Sequence, residues 1–143
     1  MVFIAMLAFM SCSDDDAKDV DSKISGDWAL MNISDDGTNL YMERLNLKSS
    51  GSFTITIYDA YGQSLNNGGS ITNMDRSEYS GTYTATDGQL KLSANGQSVT
   101  YSYKVSSNTL TLTTSEGLIV YDKVDSDIKE VFSKADQWYN QHH

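Results

Sequence analysis

The sequence predicts an all-β fold: an eight-stranded up-and-down antiparallel barrel with a C-terminal helix packed on it. Three observations lead there. From Gly26 onward, apolar residues recur at every second position, the period of strands with one buried and one wet face. Asp87-Gly88 and Asn95-Gly96 stand between such runs and are strong two-residue hairpin signals. After residue 124 the period changes to that of a helix.

The strands are expected at about 26–33, 40–47, 52–58, 79–86, 89–94, 97–106, 109–114 and 117–123. Phe53, Ile55 and Ile57 alternate with Thr54 and Thr56, and Val99, Tyr101, Tyr103 and Val105 alternate with Thr100, Ser102 and Lys104. Leu90 with Leu92 and Leu110 with Leu112 repeat the pattern. Residues 40–47 form the weakest strand, because Tyr41, Met42, Glu43 and Arg44 interrupt the alternation. Asp35-Asp36-Gly37 reads as the turn between the first two strands. The links are short, so neighbours pair in chain order and the meander closes on itself. A flattened barrel or sandwich is the competing architecture. The second face is Thr, Ser, Lys and Gln, so the apolar face points inward and the barrel is of the soluble kind rather than lipid-facing.

Ile128, Val131, Phe132, Ala135, Trp138 and Tyr139 form one helical stripe, which predicts a helix over about 126–138 lying on the barrel wall. Asp125 or Asp127 caps its start. Packing explains the stripe; a partner-binding helix is the alternative.

Composition narrows the function classes. The 143 residues fit one domain, with 20% charged and 39% apolar residues and no proline. The net charge is −9 and no region is basic, so neither nucleic acid nor anionic lipid is an electrostatic partner. Both histidines, His142 and His143, stand at the chain's end. No Ser/His/Asp set, phosphate loop or metal-ligand spacing is visible, so no enzymatic activity, metal or cofactor is expected.

The N-terminal segment speaks about address. Residues 2–10 read VFIAMLAFM, nine apolar residues: too few to span a bilayer but suited to an export signal. Ser11 and Cys12, the only cysteine, follow. The run FMSC resembles the lipobox of bacterial lipoproteins. That resemblance implies a signal peptide at 1–11, cleavage before Cys12, and acylation of its thiol, so that the partner is a membrane reached through a lipid. Residues 12–25 include the acidic run SDDD and are expected to form a disordered tether. An acidic run behind the lipidated cysteine resembles, in some Gram-negative lipoproteins, a signal for the outer face. An outer-membrane lipoprotein exposed at the cell surface is therefore expected, with a periplasm-facing one as the alternative.

A second resemblance covers residues 24–139. SGDWAL places a Gly-x-Trp, Gly26 and Trp28, on the first strand. With eight meandering strands and a final helix it is similar to lipocalins, and residues 80–113 look like the hairpin run of lipocalin-like domains in bacterial lipoproteins. The expected domains are thus the barrel with its helix at 26–139 and a tail at 140–143. The resemblance implies a binding cup, although the chain lacks the lipocalin cysteines and its strands are short. An eight-stranded interior is either filled by side chains or holds one small ligand. Trp28, Tyr83, Tyr101 and Tyr103 are the expected ligand contacts, because a buried hydroxyl or indole N–H seeks a partner.

The connection 59–78 is long for a hairpin loop. Tyr58, Tyr61 and Tyr79 in or beside it are a second candidate site, either a lid or an aromatic platform for sugars or a protein. Three functions follow: a non-enzymatic module for a small apolar or amphipathic ligand, an interaction or inhibitor protein with a filled core, and a glycan-binding surface lipoprotein. The oligomeric state is left open.

Overall fold

The computed structural model describes residues 21–143, and the signal peptide, Cys12 and the acidic run lie outside the described residues. Eight strands close into one antiparallel barrel in the order β1 to β8. They are β1 (Gly26–Ile33), β2 (Asn39–Leu47), β3 (Ser52–Gln63), β4 (Ser70–Thr86), β5 (Gln89–Ala94), β6 (Gln97–Val105), β7 (Thr109–Thr114) and β8 (Gly117–Lys123). One helix, α1 (Ser126–His142), follows. Asp87 and Gly88, and Asn95 and Gly96, all take positive φ, as two-residue hairpin turns of this type require.

Inward residues from all eight strands form the barrel core. Trp28, Leu45, Leu47, Phe53, Tyr83, Ala85, Leu90, Leu92, Tyr103, Leu110, Leu112 and Tyr121 are buried there. The core is dense at one end, where the chain enters. Ile24 is fully buried in it, and its carbonyl accepts a hydrogen bond from the Trp28 indole Nε1 at 2.8 Å. Asp21 Oδ2 accepts from the Tyr103 hydroxyl at 2.7 Å. Asp21–Ser25, expected in the tether, therefore belongs to the barrel: one isoleucine among polar residues is enough to plug an open end when the core offers it a seat.

The expected loop at 59–78 is corrected. β3 runs on to Gln63 and β4 begins at Ser70, so only a short turn with one 3-10 turn at Leu65–Asn67 joins them. The β3–β4 hairpin outgrows the rest of the barrel, because β4 pairs with β5 only over Thr82–Thr86. The pattern hid this because its sides are reversed. On the projecting part Tyr58, Ala60 and Met74 point outward, where α1 covers them, and the inward positions are polar.

The outer cluster joins Ala29, Met42, Tyr58, Ala60 and Met74 to Phe132 and Ala135 of α1. Met42 thus does not disrupt β2; it points outward beneath the helix while Leu45 and Leu47 point inward. The Tyr58 and Phe132 rings pack with centroids 5.4 Å apart. Asp136 ties the helix down, accepting from the Tyr58 hydroxyl at 2.8 Å and pairing with Arg76 Nε at 3.0 Å. Asp125 caps α1 by accepting from the Ile128 amide at 2.9 Å. Val131 stays exposed, so the stripe is narrower than its sequence pattern. None of the described helices is long and apolar enough to cross a membrane.

Candidate binding site at the barrel mouth

The barrel is filled at one end and open at the other. At the open end a cavity of ≈ 440 Å³ lies between β3–β4 and β5–β6. Phe53, Ile55 and Ile57 of β3, Leu92 and Ala94 of β5, and Val99 and Tyr101 of β6 make its apolar walls. Tyr79, Asn95, Gln97 and Ser98 stand around them, and Glu43 of β2 adds a carboxylate.

The cavity exists because β4 and β5 part company. Their last paired residues at this end are Thr82 and Ser93, with Gly81 next in the chain. A Cβ at Gly81 would overlap the Ser93 carbonyl oxygen and press on the Phe53 ring. Only glycine lets the two backbones approach so closely before they diverge. Beyond that point β4 continues with β3 alone, and Ile55 and Ile57 keep an inner surface uncovered by a fifth strand.

Glu43 is held by two phenols. Its Oε1 accepts from the Tyr41 hydroxyl at 2.9 Å, two residues away on the same face of β2. Its Oε2 accepts from the Tyr121 hydroxyl of β8, which reaches across β1. Burial, and then the neighbouring Glu43 charge, push both tyrosines well above the ordinary phenol range. Both hydroxyls therefore stay protonated and serve as donors.

The expected site residues separate. Of Trp28, Tyr83, Tyr101 and Tyr103, only Tyr101 lines the cavity. Trp28 and Tyr103 close the filled end through Ile24 and Asp21, and the Tyr83 hydroxyl donates to the Lys48 carbonyl at 2.7 Å. Their polar atoms do find partners, but within the chain. Tyr58, Tyr61 and Tyr79 do not form one platform. Tyr58 lies on the outer face beneath α1, Tyr61 donates to Asp59 at 3.0 Å on the projecting hairpin, and Tyr79 borders the cavity. Glu43, Tyr41 and Tyr121 escaped sequence reasoning. The signal was available: Leu45 and Leu47 fix the inward parity of β2, which places Glu43 and Tyr41 inside as well.

Among the described residues no group of three or more His, Cys, Asp or Glu side chains is arranged to hold a metal ion. Comparison with protein-family models, with curated proteins and with solved structures finds no match for this chain.

Proposed function

We propose that this protein is a lipid-anchored cell-envelope binding module, lipocalin-like in design, that holds a small apolar or amphipathic molecule in the mouth of its barrel. The observation that carries the proposal is the apolar-walled cavity of ≈ 440 Å³ at the open end of the barrel. That volume lies within the ~300–1,000 Å³ usual for small-molecule pockets, which are mostly apolar with a few placed polar groups. Ile57 and Val99 gain nothing from standing at an uncovered surface unless something covers them. The proposal assigns binding and no catalysis. It places the module at the outer membrane, exposed at the cell surface, with a periplasm-facing position as the alternative.

Native mass spectrometry of protein purified without detergent tests the proposal. A co-purifying small molecule is expected, and it should be held less well by Ile57→Trp, whose indole would project into the cavity. Wild-type protein that carries no ligand, and takes up none from a total lipid and metabolite extract, would sink the binding-cup proposal.

A second function has its own observation. Met31 and Ile33 of β1 and Leu118 and Val120 of β8 are exposed apolar residues, and β1 pairs with β8 only over Trp28–Lys123 and Ala29–Asp122. This supports a protein that works through its outer wall. An empty cavity in the same mass spectra would favour it.

A further inference from the structure

We propose that the occupant of the mouth is an amphiphilic cation, its alkyl part in the cavity and its ammonium group at Glu43. This rests on the binding-cup proposal above and adds the sign of the ligand's charge.

Charge complementarity carries the inference. Among the described residues that line the cavity, Glu43 has the only formal charge, and no Lys or Arg stands there to meet an anion. No ion pair neutralises Glu43 among the described residues. Its two partners are phenols, Tyr41 and Tyr121, which donate hydrogen bonds but leave the negative charge uncompensated. A partly buried carboxylate beside an apolar surface is costly without a counter-charge. An ammonium head supplies that charge while its chain covers Ile55 and Ile57.

The aromatic surroundings suit the same head group. Tyr79 and Tyr101 line the cavity together with Glu43, so aromatic rings share the mouth with its carboxylate. Ring faces attract ammonium groups, most strongly where water is displaced. An anionic head gains nothing from either feature. The approach to the mouth has the same sign: Asp59 and Asp75 lie opposite each other across β3 and β4 on the face that alternation makes continuous with Glu43 and Ile57. Like charges placed opposite disfavour the pair, and a nearby cation relieves them.

Titration calorimetry of the full chain with three probes of one chain length decides the matter: octyltrimethylammonium, octanol and octyl sulfate. The ammonium is expected to bind about 10-fold more tightly than octanol, with octyl sulfate weakest, and added salt should weaken the ammonium selectively. In Glu43→Gln the ammonium-to-octanol ratio should fall to within about twofold of unity. Octanol or octyl sulfate binding as tightly as the ammonium overturns the cationic assignment and leaves the cup standing. Binding of none of the three overturns both. A Glu43→Gln protein that keeps the full ratio removes Glu43 from the site. The wild-type probe series needs no variant, so it decides the sign of the charge even if Glu43→Gln does not fold.

Discussion

Asp27 at the start of β1 shows how a half-buried carboxylate is kept ionised. Burial alone would raise its pKa, but hydrogen bonds from the Asn46 amide and from Arg44 Nη2 at 3.0 Å outweigh it, and the carboxyl titrates below its ordinary value. The folded pKa is therefore lower than the unfolded one, about 3.9. Stability from this group is complete above the unfolded value and is lost as pH falls through the folded one. We expect wild-type protein to lose more urea resistance than Asp27→Asn between about pH 5 and about pH 2, a difference of up to ~1 kcal/mol for a pair this exposed. A gap between the two proteins that stays constant over that range would show that Asp27 is not held this way. The tyrosines teach a related lesson. A phenol's need for a partner identifies it as buried and polar, yet Tyr83 and Tyr103 satisfy that need on Lys48 and Asp21. Chemistry of the side chain alone does not separate a ligand contact from a strut.

The helix α1 is one of two elements that decide the molecule's asymmetry, the other being the β3–β4 hairpin it covers. Phe132 is fully buried against Tyr58, with the Arg44 guanidinium 5.6 Å from its ring centre. Phe132→Ala should cost ~3–5 kcal/mol in urea unfolding, the range for truncating a buried aromatic. Val131→Ala, one position along and exposed, should stay within about 0.5 kcal/mol. Equal losses would mean that α1 is not seated as described. Most of the strand plan can be read in the sequence, because Val, Ile, Leu and Thr alternate wherever one face meets the core and the other meets water. The reading fails where that condition fails. Over Tyr58–Met74 the outer face is covered by α1 and the inner face is polar, so alternation persists with its sides exchanged and passes for a loop. Glu43 was obscured in the same way: its neighbour Met42 points outward under the helix, and an inward carboxylate makes sense only once a cavity is seen above it. The helix itself was legible in period, but its exposed Val131 was not, since a stripe says which side is apolar and not how wide the seat is.

The whole molecule is a barrel stopped at one end and open at the other. Its wall is closed by β1 and β8 over just two register pairs, while the filled end is held by the burial of Ile24 and Trp28. The proposed lipid anchor belongs to this scale. Cys12→Ala should shift the protein from membrane to soluble fractions, and a variant that stays with membranes would refute acylation there. Geometry gives such an anchor a direction. Asp21 is bound at the stopped end, beside Tyr103, nine residues after Cys12. Nine residues reach at most ~30 Å. Were Cys12 acylated as proposed, a chain of that length would attach the barrel by its stopped end and leave the brim the freer side. Cargo would then be exchanged with the water outside rather than drawn straight from the lipid below.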